Sequence, residues 1–534
     1  MKRNNLVLLF TVILLISGSR LSGQLFSENG FKFSRTLSLL DAVYVDSVNL
    51  DKLTETAIAD MLHSLDPHSS YIPAKDVQDM NEPLNGNFEG IGIQFNILHD
   101  TIIVIEPIVN GPSERVGLKA GDRIVTIDNE NVAGIQISTS GVRSRLMGPK
   151  GTKVDVGVTR KGVKDLYNFT ITRDKIPINS LDAAYMINNE TAYFKFNKFA
   201  LTTEKEFFDG LTSLDASNLR NVIIDVRGNP GGVMLAAVAI ANQFFDSQKL
   251  IVYMEGRKTP RQDFKSNGKG ALTKTRLVII TDEGSASASE ILAGAVQDWD
   301  RGLIIGRRTF GKGLVQNAFT LTDGSQVRLT VARYYTPTSR SIQSPYKEGY
   351  TKYMDDYYNR FRNGETLHAD SIRLPDSLRF KTLVNRRTVF GGGGIMPDIF
   401  VAADTSDYTD YYGNLIRRGV FTSFTLEYSD QNRDRIKGLY RTFDDYKSGF
   451  DFTDTDIKQF IKAGEDAGVK FNEAQFAISE KETRKYLKAL VANNIWNTTE
   501  YFRIINEDDV VIAKTLGVLA DRNKFDTLLG TGNK

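Results

Sequence analysis

The chain contains no cysteine and only four histidines among its 534 residues. Without cysteine there is no disulfide, no thiolate nucleophile, no thiolate metal site and no lipid-modified N-terminal cysteine. An excess of charge of one sign is also missing, with 67 basic side chains against 65 acidic ones. No basic run interleaves with aromatics, which argues against a nucleic-acid partner. Long apolar runs are absent apart from LVLLFTVILLI, Leu6 to Ile16, whose 11 residues fall short of the roughly 20 a spanning helix needs. Lys2 and Arg3 precede that run, and Ser17, Gly18, Ser19, Ser22 and Gly23 follow it. This is the pattern of a secretory signal, expected over residues 1–23. An uncleaved N-terminal anchor is the other reading; in either case the bulk of the chain is expected outside the cytoplasm, with no integral span beyond that segment.

Apolar content of 41% and charged content of 25% are ordinary for soluble globular proteins, and the length suits about three or four domains. Residues 24–84 read as a helical N-terminal domain, with Leu37, Leu40, Val43 and Tyr44, and later Ile58, Met61, Leu62 and Leu65, at helical spacing. Residues 85–175 change to short β-type runs punctuated by glycine, among them GIGIQF, TIIVIEPI, GDRIVTID and KVDVGVTR. With the Gly90-Ile91-Gly92-Ile93 loop and SERVGLKAGDRIVTID, this segment resembles a circularly permuted PDZ domain. The resemblance implies that loop amides take a peptide's terminal carboxylate while the peptide adds to a strand edge.

From 176 to 401 strands and helices alternate, which implies an α/β core with largely parallel strands. Asn221 to Val226 is a buried strand followed by RGNPGG and an apolar helix. Leu277 to Ile280 is another, followed by TDEGSASASEI and a helix from about Ala288, and Leu303 to Gly306 precedes a glycine-containing loop. Residues 402–534 are charged and mostly helical in pattern.

The serines of TDEGSASASEI are read first as helix caps, since Ser287 and Glu290 fit the S-x-x-E capping box. Position favours chemistry as well. A serine on a tight strand-to-helix turn lies at the carboxyl end of the sheet, above a helix N-terminus suited to a developing oxyanion. Ala288 N–H is the natural first donor, and the paired glycines Gly231 and Gly232 can bring a second amide close. None of the four histidines, His63, His68, His99 and His368, sits beside a strand-to-helix turn of the core, so a lysine is the candidate base. Lys312, in RRTFGKGLVQ, follows the third core strand at a glycine-flanked turn, and Gln316 could orient its amine without charging it.

Taken together, GSASASEILAG, TFGKGLVQ, DVRGNPGG, GGGGIMPD and LDPHSSYIP resemble the C-terminal processing peptidases, or tail-specific proteases. The resemblance implies a multidomain α/β protein with a crotonase- or Clp-like protease core, an inserted PDZ β-domain and helical terminal regions. It also implies a serine endopeptidase with a Ser-Lys dyad acting near protein C-termini. The family's spacing, met here by the 25-position step from Ser287 to Lys312, selects Ser287 over Ser285 and Ser289. Lys312 becomes the general base and Gln316 its orienter, and Ala288 with Gly231 or Gly232 forms the oxyanion hole. No metal, nucleotide or other cofactor is called for. The tail resembles that of periplasmic members from Bacteroidetes-type bacteria, implying a periplasmic or cell-envelope location in a Gram-negative bacterium. The sequence leaves open a homodimer or an adaptor protein as partner. Rival readings are a catalytically inactive PDZ adaptor and a crotonase-like enzyme acting on acyl-CoA.

Overall fold

Four consecutive strands of the central sheet carry apolar side chains on both faces, which is stable only where both faces are covered. The computed structural model describes residues 27–372 and 374–531; the expected signal segment lies outside the described residues. The sheet is built in the order β1 (Leu181–Asn188), β2 (Thr191–Phe196), β3 (Asn221–Asp225), β4 (Arg276–Thr281), β5 (Leu303–Gly306) and β6 (Ile399–Phe400). β1 and β2 form an antiparallel hairpin, and β2 to β6 run parallel.

Alternation along the strands divides the core in two. Phe194, Phe196, Ile224, Ile279 and Ile304 face helices Met234–Asn242 and Ala288–Asp298. Tyr193, Ile223, Val278, Ile280 and Ile305 face the opposite way, where Val511, Ile512, Val518, Leu519 and Phe525 cover them. The region after residue 401 is therefore of two kinds. Helices from Asp410 to Ile505 bury their own aromatic-rich core, including Tyr411, Phe421, Tyr446 and Phe460. Helices Val510–Ala520 and Arg522–Leu529 instead complete the sheet.

The β-domain hangs on a two-stranded stem, Asn87–Gly90 against Asp174–Pro177. Its strand Ile93–Leu98 pairs only with Thr101–Pro107, so its other edge is open among the described residues. A bulge at Ile105 breaks that ladder. The freed Ile105 carbonyl accepts a long hydrogen bond, 3.4 Å, from Arg433 of helix Val420–Leu439, and Asp430 of the same helix pairs with Arg123 at 2.8 Å.

Among the described residues, those from Ser27 to Lys75, with Ala318–Leu329, form a separate compact unit. It holds helices Glu28–Val43 and Leu50–His63 and the strand Ser70–Ile72, which pairs with Gln326–Arg328. Within LDPHSSYIP, the Asp66 carboxylate accepts from the amides of His68 and Ser69, both at 2.8 Å, and from the Ser69 hydroxyl at 2.6 Å, which pins the turn. No helix among the described residues is long and apolar enough to cross a membrane.

Because Ile512 is 1% exposed against the sheet, Ile512→Ala should lower the free energy of unfolding by about 2–5 kcal/mol in urea titrations. A change within 0.5 kcal/mol would mean that the C-terminal helices do not carry the sheet's second face.

Candidate active site

The parallel strands β3, β4 and β5 end side by side, and each hands over to a loop at its carboxyl end, where α/β folds place their chemistry. These loops are Arg227–Gly232, Asp282–Ser287 and Arg307–Gly313. Ser287 caps helix Ala288–Asp298 with φ 54° and ψ −111°. A non-glycine residue in that region stores about 1–3 kcal/mol and needs surroundings that over-determine it.

The three serines are physically distinct. The Ser285 hydroxyl is buried and donates to the Val226 carbonyl at 2.7 Å. Ser289 is buried and donates to the Asn229 carbonyl at 3.0 Å. Ser287 is half-buried, and its hydroxyl has no hydrogen-bond partner among the described residues. Its side chain faces the Glu290 amide as in a capping box, but no hydrogen bond forms; that amide donates to the Ser287 carbonyl at 2.9 Å.

Glu290 holds the strained turn. Its fully buried carboxylate accepts four hydrogen bonds, from Ser287 N–H and Lys312 N–H on Oε2, each 2.8 Å, and from Gly311 N–H (2.8 Å) and the Thr309 hydroxyl (2.6 Å) on Oε1. The amide nitrogens of Ser287 and Lys312 thus share one acceptor atom and lie no further apart than twice that distance. From the other side, the buried Tyr334 hydroxyl reaches the Ser287 carbonyl at 3.1 Å and also the Lys312 carbonyl. Burial, with the Glu290 charge beside it, raises the Tyr334 hydroxyl well above its ordinary value, so it serves as a donor.

Lys312 is half-buried. Its loop is closed from behind by the GGGGIMPD segment, where Ile395 N–H donates to Thr309 Oγ1 at 2.6 Å, and by Arg360, which caps the carbonyls of Arg308 and Thr309 at 2.7 and 2.9 Å. The Gln316 side-chain amide donates to Thr330 Oγ1 at 3.3 Å.

Gly231 and Gly232 have φ of 101° and 133°, values only glycine adopts readily. A Cβ on Gly231 would stand 2.7 Å from Ser287 Cβ and 2.9 Å from Ala288 N, so the turn lies directly against the serine. Gly231 N–H already donates to Asn229 Oδ1 at 2.9 Å. Among the described residues no acceptor is found for Ala288 N–H or Gly232 N–H. The turn is anchored by Asp225, whose buried carboxylate accepts from Arg227 Nη2 at 2.6 Å and Tyr193 Oη at 2.8 Å. Burial alone would raise Asp225, yet the charges of Arg227 and Lys195 hold its carboxyl well below the usual carboxylate range.

In the β-domain loop, Gly92 has φ 72°, and the buried Ile91 accepts the Ser113 amide and hydroxyl on its carbonyl, at 3.1 and 2.6 Å. Gly90 ends the stem strand and Ile93 opens the edge strand. His63 and His68 lie in the separate N-terminal unit, and neither His99 nor His368 lies on the three loops. Sequence reasoning took Glu290 only as a capping residue and did not single out Tyr334; the S-x-x-E spacing was the available signal for the first.

Residues 190–349 match peptidase family S41, residues 90–171 match the PDZ domain family, and residues 411–497 match a family of unknown function, DUF8443. The chain is 36% identical to the carboxy-terminal-processing protease of Bartonella bacilliformis over 56% of its own length and 69% of that protein. It is 32% identical to the carboxyl-terminal-processing protease of Synechocystis sp., over 62% and 78% of the two lengths. It is therefore a PDZ-containing α/β protein of the S41 class, and it belongs to the carboxy-terminal-processing protease family. The chain spans 65% of the length of CtpA of Bacillus subtilis, at 34% identity. Among solved structures it aligns with the photosystem II D1 C-terminal processing protease at 29% identity, over 60% of this chain and 91% of that one, with a TM-score of 0.34.

Burial pushes the Glu290 carboxyl up to about 7 from its ordinary 4.5, against the pull of its four donors. The folded chain then keeps a proton that the unfolded chain releases above 4.5. Glu290's contribution to stability is full below that value and is lost as pH rises through about 7. The stability difference between wild type and Glu290→Gln should accordingly fall by about 2–4 kcal/mol between pH 4 and 8 in urea titrations; a constant difference would contradict the assigned burial. Gly231→Ala should cut turnover by ~100-fold or more by displacing the serine turn, measured on a model peptide.

Proposed function

We propose that the protein is a serine endopeptidase that captures exposed protein C-termini on its PDZ domain and cleaves near them with a Ser287–Lys312 dyad. The observation that carries this reading is the unbonded Ser287 hydroxyl on a strained turn, tied through one Glu290 oxygen to the backbone of Lys312. Neutral Lys312 takes the Ser287 proton as the oxygen attacks the scissile carbonyl carbon. The tetrahedral anion is received by Ala288 N–H and by the glycine turn. Gly232 is the preferred second donor, because Gly231 N–H is already engaged with Asn229. As the C–N bond breaks, the lysine ammonium protonates the leaving amine, and water then resolves the acyl-enzyme. Gln316 orients the lysine once substrate is bound.

On the β-domain, the Gly90–Ile93 loop takes the terminal carboxylate, and the peptide pairs with the open edge of Ile93–Leu98. The N-terminal sequence supports export, with exported proteins as substrates in the cell envelope.

Ser287→Ala and Lys312→Ala should each abolish cleavage of a peptide bearing a free C-terminus while thermal unfolding stays within a few degrees of wild type. Retained activity in Ser287→Ala would exclude it as the nucleophile. Activity should climb toward alkaline pH as Lys312 sheds its proton; a profile level from pH 5 to 9 is incompatible with a lysine base.

A further inference from the structure

The turn that presents Gly232 is reached by a side chain from the C-terminal segment of the chain. Asp509 Oδ2 accepts from Arg227 Nη1 at 2.7 Å. The same carboxylate, through Oδ1, caps helix Val510–Ala520 by accepting from Val511 N–H and Ile512 N–H at 2.8 and 2.9 Å. Val511 and Ile512 are themselves buried against the sheet, so this carboxylate is held in place from below.

Arg227 is committed on its other side to Asp225, which takes its backbone N–H at 2.9 Å and its Nε at 2.9 Å. Lys195 Nζ pairs with Asp225 at 3.5 Å and donates to the carbonyl of Arg227 itself. Two cations, Lys195 and Arg227, are thereby balanced by two anions, Asp225 and Asp509. Three of the four carry side chains 16% exposed or less, and Arg227 is 20% exposed.

We propose that Asp509 is a positioning residue for the peptidase reaction: it holds Arg227, and with it the turn that aims Gly232 N–H at the scissile carbonyl. The inference rests on the reading of Ser287 and the glycine turn given above. Without the Asp509 charge, Lys195 and Arg227 face each other across a single carboxylate with one positive charge in excess. Relief comes most easily by movement of the turn, because the acceptor of Lys195 is the Arg227 carbonyl. Gly228, Gly231 and Gly232, all at positive φ, offer little backbone resistance to that movement.

A competing effect has the opposite sign. Removing a negative charge near a developing oxyanion lowers the barrier by Coulomb attraction alone. The direction of the rate change therefore separates a positioning role from a bystander charge.

Asp509→Asn is the informative variant, because asparagine caps a helix about as well as aspartate while abolishing the charge toward Arg227. In the full-length chain it should lower kcat by ~10- to 100-fold with KM unchanged and thermal unfolding near wild type. Asp509→Glu should recover part of the loss. A wild-type or raised kcat in Asp509→Asn overturns the proposal, as does a loss that merely tracks a lower folded fraction. If wild type cleaves nothing beyond what Ser287→Ala cleaves, the peptidase reading falls, and amide exchange across residues 228–232 decides the role of Asp509. Faster exchange in Asp509→Asn then upholds it, and unchanged exchange refutes it.

Discussion

The Glu290 carboxylate is the constraint from which the rest of the site follows. A buried carboxylate is costly unless its lone pairs are all used, and here four donors use them, drawn from the serine turn and the lysine loop. Because two of the donors are the backbone amides of Ser287 and Lys312, satisfying the carboxylate also brings those residues together. The same contacts, with Tyr334 on the carbonyl side, hold Ser287 in a conformation it would not adopt alone. What looks like a helix cap in one dimension acts as a staple between two loops in three.

Around that staple the molecule arranges support in layers. The GGGGIMPD segment and Arg360 close behind the lysine loop, and the Asp225–Arg227 pair anchors the glycine turn. The C-terminal helices complete the sheet and reach the turn through Asp509. Helix Val420–Leu439 holds the β-domain by Asp430 and Arg433. The C-terminal region thus touches both the β-domain and the turn beside Ser287.

Much of this was legible beforehand. The β3, β4 and β5 strands read as continuous apolar runs because both faces are buried, and in the β-domain KVDVGVT alternates as a half-buried strand does. Local chemistry also pointed to the serine turn, the paired glycines and the lysine loop. Composition could not reveal that Val511, Ile512 and Phe525 belong to the sheet, since an amphipathic helix presents the same pattern whatever it packs on. Nor could it distinguish Glu290 as a cap from Glu290 as a bridge, because three of its four donors lie on Thr309, Gly311 and Lys312, about twenty residues further along the chain.

The sequence by itself determined which segments form strands and turns, because side-chain periodicity and glycine conformation are properties of neighbours along the chain. Only the tertiary structure decided which of three serines keeps an unengaged hydroxyl. Burial and the carbonyls of Val226 and Asn229 consume the other two, and those partners lie some sixty residues away, beyond the reach of any local rule.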